Sequence, residues 1–283
     1  MEFRRVSATP DTFKQYAQLF AACFPTATHL NVDYLRWLYR DNPDGNVVGF
    51  DAFDGDRLAA HYVCIPAAIY LDGKPARSLL SLNTATHPNY QGKGLFTRLA
   101  DMTYAAGAGD GFRCVYGVAN ANSTPGFVRK LGFQLVAPLK AMVGIGSLRA
   151  DWNKLLSNAA FRRSWSPDSF RWRCSNPINP LSVTCERKSI ARLKARAINK
   201  ILCAYGEIPL DFEPEEFVSS TPTMFRLFLG LFPSDSCGYP TFVKIPDRFR
   251  PSPLNLIFKP LNSAPAALEP QQVLFSFADF DAY

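Results

Sequence analysis

The stretch from His87 to Gly107, HPNYQGKGLFTRLADMTYAAG, constrains the fold of this 283-residue chain more than any other segment. Two glycines flank a lysine, and Leu95, Leu99 and Met102 then recur at helical spacing. The pattern predicts that a strand ends, a glycine loop follows at residues 91–94, and a helix begins. Backbone N–H groups at a helix N-terminus attract phosphate oxygens, and glycines let such a ligand approach closely. The spacing is neither GxxxxGK[ST] nor GxGxxG, so it indicates neither a nucleoside triphosphate loop nor a dinucleotide fingerprint.

Composition indicates a soluble globular protein with enough chain for two modest domains or one elaborated domain. No apolar run approaches the ~18 residues of a membrane span, and Met1–Pro10 leads into no apolar signal region, so a cytoplasmic location is expected. The seven cysteines are scattered, without CxxC spacing or neighbouring histidines, which predicts buried thiols and no metal site. A net charge of +7 fits an anionic ligand and a generic surface bias about equally well.

The segment before the glycine loop alternates between helical and strand patterns. Two amphipathic helices are predicted, at Asp11–Phe24 with Thr9 or Asp11 as its cap, and at Asp33–Arg40. The strands predicted here are Phe3–Val6, Val47–Phe53, Leu58–Tyr70 and Ala76–Thr86. Asp-Gly pairs separate the last three strands, which predicts tight hairpins and an antiparallel meander.

The segment after the loop helix predicts one more strand, a short helix and a final strand. Arg113–Ala119 has a strand pattern and leads into NANSTPGFVRKLGF, where Ser123 or Thr124 caps a helix that ends at Gly132. Phe133–Ile145 is then predicted as a single strand.

Residues 3–146 resemble the acetyl-CoA-dependent GNAT N-acyltransferase superfamily in the order of these elements. The family signature Q/R-x-x-G-x-G/A is matched by Gln91 and Gly94, with Phe96 where the last small residue is usual. A second landmark, an asparagine after the next strand and a short helix ending in Gly-Phe, is matched by Asn120 or Asn122 before Gly132-Phe133. The resemblance implies a mixed α+β fold with a central, mostly antiparallel sheet flanked by helices.

The resemblance also implies acetyl-CoA, or another acyl-CoA, as co-substrate. Backbone amides from Gln91 to Phe96 would hold the pyrophosphate, and the strand Leu79–Thr86 would splay from Arg113–Ala119 to admit the pantetheine arm. The implied cofactor-binding residues are Thr84, Ala85, Thr86, Gln91, Gly92, Lys93, Gly94, Leu95, Phe96, Asn120 and Asn122.

The usual acid and base of the family are missing from their expected places. Phe127-Val128 stands where many members carry a tyrosine that protonates the leaving thiolate, and the strand before the loop has no glutamate. Asn83 could bind a water that acts as base, or only satisfy the backbone; Tyr116 is a possible proton donor or a packing residue. In one tandem family of this superfamily the terminal carboxylate serves as base, and the equivalent candidates here are Asp279, Asp281 and the Tyr283 carboxylate. The alternative interpretation of these residues is a solvent-exposed acidic tail.

The second half has no second glycine loop but contains an echo of the first half. DYLRWLYRDNP, from Asp33 to Pro43, resembles DSFRWRCSNP, from Asp168 to Pro177. We therefore predict a GNAT domain at residues 1–147 and a degenerate GNAT-like domain at residues 148–283 that shapes the acceptor pocket. Ser182–Glu186 is predicted as a strand. The segment Ile190–Tyr205 fits both strand and helix, with the repeat favouring strand.

The resulting prediction is an enzyme that transfers an acyl group, by direct attack, to a primary amine of a small or nucleotide-linked acceptor such as an amino sugar. The basic row Arg192, Lys194 and Arg196 could meet an anionic acceptor or form a solvated strand face. Two alternatives stay open: an aminoacyl-tRNA-dependent transferase, which the intact coenzyme loop disfavours, and a non-catalytic acyl-CoA-binding module. Nucleic acid is otherwise not an expected partner, and the sequence does not indicate the oligomeric state.

Overall fold

The computed structural model describes residues 1–186, 189–198, 202–213, 224–233, 236–250, 252–262 and 264–280. The described α-helices are α1 (Pro10–Cys23), α2 (Val32–Tyr39), α3 (Leu95–Gly109), α4 (Trp152–Asn158) and α5 (Pro167–Cys174). The Thr9 side chain caps α1 by accepting a hydrogen bond from the backbone N–H of Thr12. None of these helices has the length and apolar character needed to cross a membrane.

Fifteen strands among the described residues form one continuous sheet. They are β1 (Glu2–Arg5), β2 (Val48–Asp54), β3 (Arg57–Leu71), β4 (Lys74–Thr86), β5 (Cys114–Ala119), β6 (Gln134–Pro138), β7 (Lys140–Gly144), β8 (Phe161–Arg163), β9 (Ser182–Glu186), β10 (Ile190–Ile198), β11 (Leu202–Pro209), β12 (Phe225–Leu231), β13 (Phe242–Lys244), β14 (Asn255–Pro260) and β15 (Val273–Ser276). The fold is mixed α and β with a mostly antiparallel sheet, as predicted.

The predicted meander is confirmed as β2, β3 and β4, joined by tight turns. The turn residues Gly55, Asp72 and Gly73 have φ values of +59°, +50° and +70°, the left-handed conformation that Asp-Gly pairs adopt most readily. Alternate residues of β3 then face opposite layers. Val63 packs with α1 and α2, and Tyr62 packs with α3.

The prediction of one strand over Phe133–Ile145 is wrong, because the segment forms two strands with different partners. Leu139 separates β6 from β7, and its N–H donates to the carbonyl of Leu254 at 2.7 Å. β6 pairs with β14, whereas β7 pairs with β12 and β13. The change of partner is a long-range contact that local periodicity does not encode.

Each half of the chain inserts one strand between two strands of the other half. β14, from the second half, lies between β5 and β6 of the first. β7, from the first half, lies between β12 and β13 of the second. Each half of the chain therefore contributes one strand to the part of the sheet formed by the other half. A domain boundary between residues 147 and 148 stays a prediction.

The repeated motif also occupies matching places. Trp37 on α2 and Trp172 on α5 stack with ring centroids 4.7 Å apart. Each indole N–H donates to the backbone carbonyl of the other tryptophan, at 3.1 and 2.9 Å. The strand prediction for Ser182–Glu186 is confirmed as β9. Ile190–Tyr205 is strand and not helix in its described part, but it belongs to two antiparallel strands, β10 and β11, and not to one. The two copies of the motif thus contact each other through reciprocal hydrogen bonds, and the duplication stays a prediction.

Candidate active site

A slot opens in the sheet where β4 and β5 diverge. These parallel strands pair from Ser78 opposite Cys114 to Ser81 opposite Gly117, and their pairing ends there. β4 continues to Thr86 and β5 to Ala119. Because the facing backbone groups of these continuations are not paired with each other, an extended ligand arm can lie between them and hydrogen bond to both edges.

A β-bulge marks the inner end of this slot. The register of β3 with β4 shifts between His61 opposite Ala85 and Val63 opposite Leu82, so Asn83 and Thr84 together face one residue. Asn83 has a φ of +48°, a left-handed conformation that asparagine tolerates better than most residues. A bulge re-aims side chains and frees backbone groups from the ladder. Asn83, half-buried, therefore lies beside the point of divergence.

The glycine loop lies at the outer end of the slot. Gly94 precedes α3 with a φ of +73°, and no side chain caps the helix. The first hydrogen bond of α3 runs from the Arg98 N–H to the Gly94 carbonyl, so the amides of Leu95, Phe96 and Thr97 have no partner within the helix. A Cβ atom added at Gly94 would meet no atom within 4 Å. The helix N-terminus is thus open to an anion.

The side chains of the loop and of Phe96 contact neighbouring residues. Lys93 Nζ lies 4.9 Å from the centre of the Tyr90 ring, and Gln91 Nε2 donates to the Thr86 carbonyl at 3.4 Å. The ring of Phe96 packs edge-on against Phe127, with centroids 5.3 Å apart. Phe96, which stands where a small residue is usual, thus packs its ring on Phe127.

The remaining predicted cofactor residues line the edges of the slot or its rim. On β4, Ala85 is buried and Thr84 and Thr86 are half-buried. Beyond β5, the Asn120 Oδ1 atom accepts hydrogen bonds from the backbone N–H groups of Asn122 and Ser123, both at 3.0 Å. Asn120 therefore shapes the rim of the slot by capping the next turn, and Asn122 is exposed there.

Residues 4–136 match the acetyltransferase (GNAT) domain family. This part of the chain is a GNAT domain. The match contains the meander, the glycine loop, α3 and β5. No curated protein sequence is significantly similar to the chain.

Solved structures resemble the chain beyond the GNAT domain. A GCN5-related N-acetyltransferase from Anabaena variabilis has a TM-score of 0.60 at 9% identity, over 92% of this chain and 73% of its own. A conserved Enterococcus faecalis protein described as a probable N-acyltransferase has a TM-score of 0.57 at 10% identity, over 92% and 72%. Eis1 from Mycobacterium abscessus has a TM-score of 0.53 at 10% identity, over 80% and 65%. In each of these structures the similarity extends over both halves of this chain, so the same fold is found in them for both halves.

Tyr116 lies on the face of the GNAT domain that contacts the second half. It is fully buried, and its hydroxyl donates to the Asp279 carbonyl at 3.2 Å and accepts from Arg163 Nη1 at 3.3 Å. Burial raises the pKa of Tyr116 to about 12. The hydroxyl thus contacts the C-terminal segment, residues 273–280, directly. Its role as proton donor stays a prediction.

Asp279 lies in a cluster of buried charges next to Tyr116. Its Oδ2 atom accepts a hydrogen bond from the Ser276 N–H at 2.6 Å. Arg163 pairs with Asp44 at 2.6 Å, and Arg173 donates to the Phe280 carbonyl. Arg173 thus anchors the C-terminal segment to α5, and the hydrogen bond from Tyr116 anchors it to the GNAT domain, so the buried Asp279 carboxylate is not on an exposed tail. Asp281 and Tyr283 lie outside the described residues.

The buried Asp279 carboxyl gives a testable pH dependence. Burial raises its pKa from 3.8 to about 6, so between these values the folded protein binds more protons than the unfolded chain. The free energy of unfolding therefore falls as pH rises through this window. Two pKa units correspond to about 3 kcal/mol. Asparagine does not titrate, so the free energy of unfolding of Asp279→Asn minus that of wild type should rise by about 3 kcal/mol from about pH 4 to about pH 6.5, as measured by urea unfolding. A difference between the two proteins that stays constant over this range would contradict the raised pKa of Asp279.

The second half contains an equivalent divergence that is filled. β11 and β12 are parallel and pair from Leu202 opposite Phe225 to Tyr205 opposite Phe228. Beyond that point β15 pairs with β12, with Ser276 opposite Gly230. A Cβ atom added at Gly206 would lie only 3.0 Å from the Phe277 ring. The C-terminal segment therefore occupies the place that is open in the GNAT domain.

Sequence reasoning missed three buried polar residues that lead to Asn83. Tyr39, His61 and Asp51 are each at most 2% exposed and are joined by hydrogen bonds. Two of them could have been found from the predicted hairpin, because Asp51 and His61 are polar residues in apolar strands and lie directly opposite each other in β2 and β3. Among the residues that the structure describes, no group of three or more His, Cys, Asp or Glu side chains has the arrangement of a metal site.

Proposed function

We propose that this protein transfers an acyl group, in the simplest case acetyl, from acyl-CoA to a primary amine of a small or nucleotide-linked acceptor. The observation that carries the proposal is the continuity of the glycine loop with the slot between β4 and β5. An extended cofactor with an anionic end fits this arrangement, because the unpaired amides lie at one end and the bulge at Asn83 at the other. Acyl-CoA, when bound, supplies a thioester that an amine can attack.

The residues of the chain have separable tasks in this reaction. The amides of Leu95, Phe96 and Thr97, with the dipole of α3, bind the pyrophosphate. The backbone edges of β4 and β5 hold the pantetheine arm in the slot. Asn83 at the bulge orients the attacking amine or a water that accepts its proton.

The acceptor reaches Asn83 from the face opposite α3, where the C-terminal segment packs on the GNAT domain. The basic row on β10 is far from this point along the sheet, following the order β4, β3, β8, β15, β12, β11, β10. Arg192 of that row lies 3.9 Å from Glu207. We therefore do not assign the row to the acceptor, and the amino-sugar proposal rests on family resemblance. A cytoplasmic location is consistent with the seven free thiols.

The test is release of the coenzyme A thiol from acetyl-CoA in the presence of purified protein and a panel of primary amines, beginning with nucleotide-linked amino sugars. We expect saturable release with at least one amine and none without protein. Binding of acetyl-CoA without turnover of any amine would instead favour a non-catalytic acyl-CoA-binding module. Failure to bind acetyl-CoA would overturn the proposal and favour the aminoacyl-tRNA-dependent alternative.

A further inference from the structure

A chain of buried hydrogen bonds runs through the GNAT domain to the bulge. The Asn83 Nδ2 atom lies 3.1 Å from the Tyr39 hydroxyl, which lies 3.1 Å from His61 Nε2. His61 Nδ1 lies 2.6 Å from Asp51 Oδ1, and the Tyr16 hydroxyl donates to Asp51 Oδ2 at 2.8 Å. The chain crosses from β4 through α2 to the β2–β3 hairpin.

The carboxylate of Asp51 sets the direction of this chain. An ionised carboxylate only accepts hydrogen bonds, so Nδ1 of His61 carries the proton. With His61 neutral, Nε2 is then an acceptor and the Tyr39 hydroxyl donates to it. The Tyr39 oxygen is left to accept, and Asn83 therefore turns its NH₂ group towards it.

We infer that Asp51, His61 and Tyr39 act as positioning residues, which hold the Asn83 amide so that its carbonyl oxygen faces the attacking amine. This inference rests on the proposed acyl transfer. Because Nδ2 of Asn83 donates to Tyr39, the Oδ1 atom is the polar atom of the amide that we assign to the acceptor. An oxygen there accepts an N–H hydrogen bond from the amine and aligns its lone pair with the thioester carbonyl.

The surroundings of the chain favour a positioning role over a purely structural one. The rings of Tyr16 and Phe20 pack on His61, with centroids 4.2 and 5.6 Å away. Leaving any one buried polar group of such a network without its partner costs ~1–3 kcal/mol, whereas apolar residues of similar shape would have filled the same space without that risk. The network ends at Asn83, a half-buried side chain on the bulge beside the slot.

The test is Tyr39→Phe, which keeps the ring and removes the hydroxyl that links His61 to Asn83. We expect kcat for amine acetylation to fall at least tenfold while the Kd for acetyl-CoA, measured by calorimetry, changes less than twofold. The matched control is Tyr104→Phe. Tyr104 is also buried, and its hydroxyl bonds to Tyr62 at 2.5 Å on the other face of the sheet. The control variant should retain the wild-type kcat.

A double-mutant cycle separates action through Asn83 from a general loss of stability. Asn83→Gly removes the amide and accepts the positive φ. If Tyr39 acts through Asn83, Tyr39→Phe should change kcat less than twofold in the Asn83→Gly background. An equal loss in both backgrounds, or an undiminished kcat in the single Tyr39→Phe variant with cofactor binding intact, would overturn the inference alone. Failure of the wild-type protein to bind acetyl-CoA or to acetylate any amine would overturn the proposed function and the inference with it.

Discussion

Replacing Gly94 with valine is expected to weaken acetyl-CoA binding at least 100-fold, or about 2.8 kcal/mol. Gly94 has a φ of +73° immediately before α3, a conformation that a β-branched residue adopts only with strain. A valine side chain would project into the space beside the unpaired amides of α3, where the pyrophosphate is proposed to bind. The measurement is calorimetric titration of wild type and variant with acetyl-CoA.

The matched control for this change is Gly73→Val. Gly73 has a φ of +70° in the turn between β3 and β4, and a Cβ atom there also meets nothing within 4 Å. Both variants therefore carry similar backbone strain, but only one alters the glycine loop. Equal affinities for acetyl-CoA in the two variants would show that the loop is not the pyrophosphate site.

Truncation of Trp37 or Trp172 to alanine is expected to lower the free energy of unfolding by about 3–5 kcal/mol in each case. The two side chains are 6% and 8% exposed, stack on each other and exchange two hydrogen bonds with backbone carbonyls. Each truncation leaves a cavity between α2 and α5 and removes one of the paired indole donors. Denaturant unfolding monitored by circular dichroism measures the change.

The double variant tests whether the two motif copies form one structural unit. Residues in direct contact show coupling energies of about 0.5–3 kcal/mol. Trp37→Ala with Trp172→Ala should therefore destabilise the protein by less than the sum of the single changes. Trp152 provides the control, since it packs on Phe232 instead and its truncation should add to that of Trp37. Additive effects for both pairs would contradict the coupling of the two halves.

The local parts of this fold could be predicted from the sequence because their signals are short-range. The Asp-Gly pairs at 54–55 and 72–73 specify the hairpin turns of the meander, and the glycine loop at 91–94 indicates where α3 begins. The resemblance to the GNAT family also implied that β4 diverges from β5, and the pairing of these strands does end at Ser81 opposite Gly117.

The remaining features depend on contacts between distant segments. The exchange of β7 and β14 between the halves follows from a change of partner at Leu139, where hydrophobicity continues through both strands. The filled divergence depends on Phe277 meeting Gly206, about seventy residues away in sequence. The hydrogen-bond chain to Asn83 could not be predicted without the register of β2 with β3, which places Asp51 opposite His61. The Asp54-Gly55 turn alone does not give this register, because a bulge after Ala52 shifts it.

The most direct measurement for the whole account is the stoichiometry of acetyl-CoA binding by calorimetric titration of the wild-type protein. We predict one molecule bound per chain, because the divergence of β4 and β5 is open and that of β11 and β12 is filled by the C-terminal segment. The absence of saturable binding would contradict the cofactor assignment, and two equivalents per chain would contradict the assignment of a single functional slot.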